Sequence, residues 1–149
     1  MRMVVQRVSR AEVRVEGRVT GSIGRGLLIL VGIAKTDTKA DAEFLAAKAL
    51  GLRIFPDAEQ RMNLSVVEAR GSLLVVSQFT LYGDVRKGRR PAFDRAANPA
   101  EARSLYEHFL QMLGGGNIKV ESGVFQAMME VELVNDGPVT ILCDSERLI

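Results

Sequence analysis

Val13 and Val15 alternate with the charged residues Glu12, Arg14 and Glu16. A period of two puts every second side chain on one face, so this segment predicts a half-buried strand. Residues 17–26, GRVTGSIGRG, predict a turn, a short strand and a second turn. The run LLILVGIA at 27–34 is apolar throughout and predicts a buried strand. GSIGRG within this region is no dinucleotide loop. Its order is GxxGxG, and a strand follows where that motif requires a helix.

Residues 38–50 shift to helical spacing. Ala42, Leu45, Ala49 and Leu52 share a face, and Gly51 is placed to end the helix. A second helix carries stronger signals. Asn98 is placed as N-cap, Pro99 as the first helical residue and Glu101 two positions on. Leu105, Phe109, Met112 and Leu113 form its apolar stripe, and Gly114-Gly115-Gly116 stops it. Beyond it, IKVESGVF, AMMEVELV and VTILCD predict three strands. In all, about eight strands and two helices are expected, mostly in an order suited to antiparallel pairing. That describes an α+β fold: one domain over 1–149, with a β-rich antiparallel roll or barrel-like sheet and two main flanking helices.

Length and composition fit that picture. A chain of 149 residues, 47% hydrophobic and 26% charged, has the balance of an ordinary soluble domain. Its longest apolar stretch, near Leu27–Val31, falls far short of the roughly 20 residues a membrane span needs. In MRMVVQRVSR, Gln6 and Arg7 interrupt any signal-peptide core. The lone cysteine, Cys143, excludes an intrachain disulfide framework, so a reducing cytoplasmic setting is expected. A net charge of +2 is too small to argue nucleic-acid binding by itself.

The candidate chemistry is narrow. One histidine, His108, and one cysteine make no metal cluster of familiar spacing. His108 reads as a surface or satisfied structural residue, and Cys143 as an inert thiol in an apolar strand. No metal and no cofactor is expected, and a Ser-His-acid triad has only His108 to draw on.

Two segments stand out. SQFTL at 77–81 ends an apolar run by placing Ser77, Gln78 and Thr80 where aliphatics are expected. It reads either as a core strand with a polar outer face or as a site. In a site, hydroxyls and backbone amides would face a developing oxyanion, with Phe79 stacking on a base. NDGPVT at 135–140 puts Gly137-Pro138 before the apolar run VTILC. It reads either as a turn or as a stretch of bare backbone that presents carbonyls to an ammonium group. Arg86, Lys87, Arg89 and Arg90 follow SQFTL closely, as a solvated loop or as phosphate contacts guiding an RNA strand.

Taken together these residues closely resemble the D-aminoacyl-tRNA deacylase family. The resemblance runs almost end to end: MRMVVQRVSRAEV, GSIGRGLLILVGI, LRIF, MNLS, LLVVSQFTLYGD, RKGRRPAF and VELVNDGPVTILCD. It implies hydrolysis of the ester between a D-amino acid, or mischarged glycine, and the terminal adenosine of tRNA. It also implies a homodimer in which Gly137 and Pro138, as a cis dipeptide supported by Asn135 and Thr140, enter the partner's pocket to exclude L-amino acids. Ser77, Gln78, Phe79 and Thr80 would line the reacting ester and the adenosine, with Met62, Phe125 and Met129 on pocket-side segments. One departure is visible: the family commonly reads GxFGAxM where this chain has GVFQAMM, so Gln126 replaces a glycine. Water, placed beside backbone amides and helped by the neighbouring ribose hydroxyl of the tRNA, is the expected nucleophile. The rival readings are a non-catalytic module for the 3′ end of aminoacyl-tRNA, a small esterase using Ser77, and a dimeric scaffold with no ligand.

Overall fold

The computed structural model describes residues 1–149. The chain forms β1 (Arg2–Val15), β2 (Arg18–Ile23), β3 (Gly26–Gly32), α1 (Lys39–Gly51), β4 (Phe55–Pro56), β5 (Met62–Leu64) and β6 (Ser72–Ser77). A 3₁₀ turn over Phe79–Tyr82 follows, then α2 (Pro99–Gly114), β7 (Val120–Ser122) and β8 (Glu130–Asp144). β1 is the axis of the main sheet. Along one edge its first half pairs with β3 and its second half with β2; along the other edge it pairs with β8 over nearly its whole length. All three pairings are antiparallel.

The expected α+β roll with two helices is present, and its sheet is mixed. β3 pairs with β6 in parallel, Leu27 to Leu73 through Val31 to Ser77, and β6 pairs with β7 in parallel. Both crossovers run through a helix, as parallel pairing demands. The two helices pack together on one face of the sheet, over a core that includes Met3, Val5, Ile29, Leu45, Phe55 and Phe109. On the other face the sheet curls over a smaller core of Val8, Ala11, Val13, Ile23, Leu28, Leu74 and Val76. The curl brings β2 onto β6 and β7: a Cβ at Gly21 would lie 2.8 Å from the Ser122 carbonyl oxygen.

The helix signals hold. The Asn98 side chain accepts from the Glu101 amide at 3.0 Å and caps α2. α1 ends on Gly51. The three strands expected in the tail are two. Residues 123–129 belong to no strand, and Glu130–Asp144 is continuous through Gly137-Pro138. The strand stays continuous because its irregularity is local. Gln6 pairs with Thr140 and Val8 with Asn135, so Asp136–Val139 stand opposite the single residue Arg7. Gly137-Pro138, which is a cis peptide, is therefore part of a bulge within β8, neither a turn between strands nor a strand boundary.

Candidate active site

β6 delivers Ser77 to the rim of the sheet, and there the chain leaves the strand. The Gln78 amide donates to the Val31 carbonyl of β3 at 2.7 Å, and the next four residues coil into the 3₁₀ turn. SQFTL is thus a strand end and a turn, not a continued core strand. The turn rests on β3 at Gly32, where a Cβ would come within 2.9 Å of the Gln78 carbonyl oxygen and 3.1 Å of the Leu81 Cβ. Only a residue without a side chain allows that approach. The turn closes on itself through Leu81 N–H to the Gln78 carbonyl (3.2 Å) and Gly83 N–H to the Thr80 carbonyl (2.9 Å). The amides of Phe79 and Thr80 open the turn and donate to no carbonyl within it.

The turn forms one wall of a pocket of about 730 Å³. Ser77, Gln78, Phe79, Thr80, Phe125 and Met129, all singled out in the sequence, line it. Thirteen of its eighteen lining residues are hydrophobic, and none is His, Cys, Lys, Arg, Asp or Glu. Its floor comes from the sheet at Val31, Val76 and Val131, and its far wall from the start of α2 at Pro99 and Ala102. Phe79 is 59% exposed at the mouth and stands edge-on to Phe93, ring centres 5.0 Å apart. The Gln78 side chain donates through Nε2 to the Thr80 hydroxyl oxygen, leaving that hydroxyl its own proton to give. Under the opposite wall, Phe125 lies against Tyr106, whose hydroxyl donates to the Val75 carbonyl at 3.1 Å; burial pushes that phenol up to about 12.

Gln126 also lines the pocket, with φ +64°. Its backbone occupies the left-handed region open to glycine, so the substitution changes the side chain without forcing the chain out of that conformation. Gln126 has no hydrogen-bonded side-chain partner within the chain, and its carboxamide is a polar group that a glycine would not provide.

The second segment is elsewhere. Gly137 and Pro138 are exposed on the bulge of β8 and line no part of the pocket of their own chain. Asn135 holds the bulge in shape: its Oδ1 accepts from the Val139 amide at 2.7 Å, and its Nδ2 donates to the Val139 carbonyl at 3.1 Å and the Thr140 hydroxyl at 3.2 Å. Gly137 has φ +142°, and a Cβ there would meet Val139 Cγ2 at 2.7 Å and Val139 N at 3.0 Å. Arg7 is the neighbour of the bulge that pattern reading missed. Its Nε donates to the Asp136 carbonyl at 2.9 Å and its Nη1 to the buried Ile54 carbonyl at 2.6 Å. A signal for it was present, since Arg7 shares the inward phase of Met3 and Val5 on β1.

Met62 is exposed on β5 and is not part of the pocket. Arg86, Lys87, Arg89 and Arg90 lie on an exposed loop beyond the turn and do not line it either. Arg86 grips Asp84 through Nε (2.9 Å) and Nη2 (2.6 Å), and this holds the Asp84 carboxyl well below the usual carboxylate range. That leaves Lys87, Arg89 and Arg90 as the loop's cations outside any ion pair. His108 pairs with Glu43 of α1 at 2.9 Å, away from the pocket. Cys143 is half-buried on β8, and burial pushes its thiol up.

Residues 4–144 match the family model described as D-Tyr-tRNA(Tyr) deacylase. The chain is 61% identical over 147 residues to a D-aminoacyl-tRNA deacylase of Koribacter versatilis, covering 99% of each. It is 62% identical over 148 residues to one of Anaeromyxobacter dehalogenans, again covering 99% of each. Among solved structures it superposes at TM-score 0.91 on one titled c-Myc DNA Unwinding Element Binding Protein, at 40% identity over 97% of this chain and 98% of that one. A probable eukaryotic D-amino acid tRNA deacylase superposes at TM-score 0.82 over 95% and 97% of the two chains; at 20% identity it shares the fold.

Proposed function

This chain belongs to the D-Tyr-tRNA(Tyr) deacylase family, and from that membership we propose that its pocket hydrolyses the ester joining a D-amino acid to the terminal ribose of tRNA. The observation that carries the reading is the pocket's inventory: hydroxyls, the carboxamides of Gln78 and Gln126 and two backbone amides free of the turn's own bonding, on apolar walls without an ionisable side chain. An aminoacyl ester is already an activated acyl group. Its hydrolysis needs a placed water and a donor for the carbonyl oxygen more than it needs a strong base. The Phe79 and Thr80 amides supply the donors, and removing one such donor costs about 10²–10³ in rate. The 2′-hydroxyl beside the ester orients the water. Water adds to the carbonyl carbon, the bond to the ribose oxygen breaks, and the proton lost by water passes to that oxygen.

Selection of hand belongs to Gly137 and Pro138. The pocket must accept many side chains, so it cannot read them by shape. With the α-ammonium on the Gly137 and Pro138 carbonyls and the ester at the turn, the two remaining α substituents have fixed directions. A D side chain leaves toward solvent. An L side chain turns its Cβ into the backbone wall and is excluded, while glycine passes because it has no Cβ. This is specificity by repulsion. The bulge lies outside its own chain's pocket, so a second copy of the chain supplies it, and the working unit is a homodimer. The loop carrying Lys87, Arg89 and Arg90 steers the phosphates of the tRNA end, with Arg86 holding the loop. Met62, exposed on β5 opposite Pro56, meets the partner's substrate, and the setting is the cytoplasm.

Release of free D-tyrosine from D-Tyr-tRNA tests the reading. Thr80→Ala should keep substantial activity, whereas tRNA ending in 2′-deoxyadenosine should react slowly. A protein that binds the charged 3′ end without releasing the amino acid is the binding module instead. A folded, substrate-binding but dead Thr80→Ala protein returns the nucleophile to that hydroxyl.

A further inference from the structure

The turn that presents Phe79 and Thr80 is weak by itself. It has four residues, and one of its closing bonds is 3.2 Å long. Short 3₁₀ turns have poor hydrogen-bond geometry and depend on their surroundings for rigidity. Gly32 supports this one from below. From the side it is held by Arg2. Arg2 Nη1 donates to the Leu81 carbonyl at 3.2 Å, and its guanidinium lies over the Tyr82 ring, 4.7 Å from the centroid. The Arg2 side chain is itself fixed. Its Nε donates to Asp144 Oδ2 at 2.9 Å, and the Asp144 side chain is 1% exposed. Asp144 is the register partner of Arg2 across β1 and β8. Tyr82, 4% exposed, carries a second cation on its ring, Arg95 at 5.7 Å, which Glu146 holds at 3.0 Å. Arg2, Asp144 and Tyr82 do not line the pocket.

We propose that Arg2 is a positioning residue for the deacylase site: anchored on buried Asp144, it clamps the Leu81 carbonyl and the Tyr82 ring and so fixes where the Phe79 and Thr80 amides stand. This rests on the reading of the pocket given above. Only the fork of a guanidinium reaches Asp144 and Leu81 together. A lysine keeps the charge pair with Asp144 and loses the second grip. Oxyanion donors are sensitive to small displacements, so loosening the clamp acts on the chemical step more than on substrate binding.

The test is steady-state deacylation of D-Tyr-tRNA by wild type, Arg2→Lys and Arg2→Met, with amide hydrogen exchange and thermal unfolding of the same proteins. Arg2→Lys should unfold near the wild-type temperature, lose roughly tenfold in kcat and change KM by less than about twofold. The Leu81 and Gly83 amides should exchange faster in both variants. Unchanged exchange at these amides overturns the inference whatever the activity, and it does so in Arg2→Lys even if Arg2→Met does not fold. Unchanged kcat in a folded Arg2→Lys overturns it too, as does a loss confined to KM. Failure of the wild type to release D-tyrosine is a different result: it removes the functional reading, while the exchange measurement still decides whether Arg2 clamps the turn.

Discussion

The Asn135 carboxamide stands in for a peptide group. Where Asp136–Val139 leave the ladder with β1, the Asn135 side chain accepts from the Val139 amide and donates to the Val139 carbonyl, closing the loop a neighbouring strand would have closed. Replacing it strands both groups at a half-buried position. Asn135→Ala should therefore cost about 1–2 kcal/mol in chemical denaturation and lower deacylation together with it. A variant as stable and active as wild type would show that the bulge keeps its shape without this brace. Asn135 was visible in the sequence as part of a motif, and its bonds were not, because a carboxamide's partners depend on how the chain turns after it. Arg7 was harder to read. An arginine near the start of a strand reads as surface, and only the burial of Met3 and Val5 in the same phase places it inside. Gln126 shows the reverse. The sequence marked it as unusual, and the backbone accommodates it at φ +64°.

At the scale of elements, local signals decided most of what could be read. α2 begins where Asn98, Pro99 and Glu101 said it would, because capping is chemistry among adjacent residues. Asn98→Ala should lower stability by about 1 kcal/mol in thermal or denaturant unfolding and leave kcat within roughly twofold, since Asn98 does not line the pocket. A large fall in kcat without a change in stability would give Asn98 a role that capping does not explain. Strand pairing was less legible. LLILV in β3 and LLVV in β6 are continuous apolar runs, the mark of strands covered on both faces and paired in parallel. Chain order alone suggested antiparallel pairing, and the helical crossovers overrule it. β8 was divided at Asn-Asp-Gly-Pro because those residues favour turns. The ladder with β1 resumes on both sides of them, so fifteen residues form one strand around a bulge. On β1 and β8, Glu12 stands directly opposite Glu132, a like-charge pair that Arg14 bridges by bonding both.

At the scale of the whole molecule, the pocket and the Gly137-Pro138 bulge are parts of one chain that do not meet. β8 pairs with β1 along one edge only. A long unpaired edge is a surface for association, and with Leu142 57% and Val134 42% exposed it carries apolar area as well. The proposed homodimer predicts a solution mass of twice 16.3 kDa at micromolar concentration, by sedimentation or light scattering. A monomer that remains active would remove the cross-subunit filter and leave the bulge without a role in the pocket. The family resemblance is what raised the expectation of a division between subunits. No pattern of polar and apolar residues would have revealed it, because it concerns two surfaces and not a segment. The most direct measurement of the central claim is paired deacylation of D-Tyr-tRNA and L-Tyr-tRNA by wild type and Gly137→Ala. The wild type should release D-tyrosine quickly and leave L-Tyr-tRNA intact. Gly137→Ala, with a methyl forced against Val139 at a left-handed φ, should lose at least roughly tenfold on the D substrate. A wild-type protein that strips both hands at the same rate, or a Gly137→Ala protein with unaltered rate and selectivity, would contradict a backbone wall that reads the α carbon.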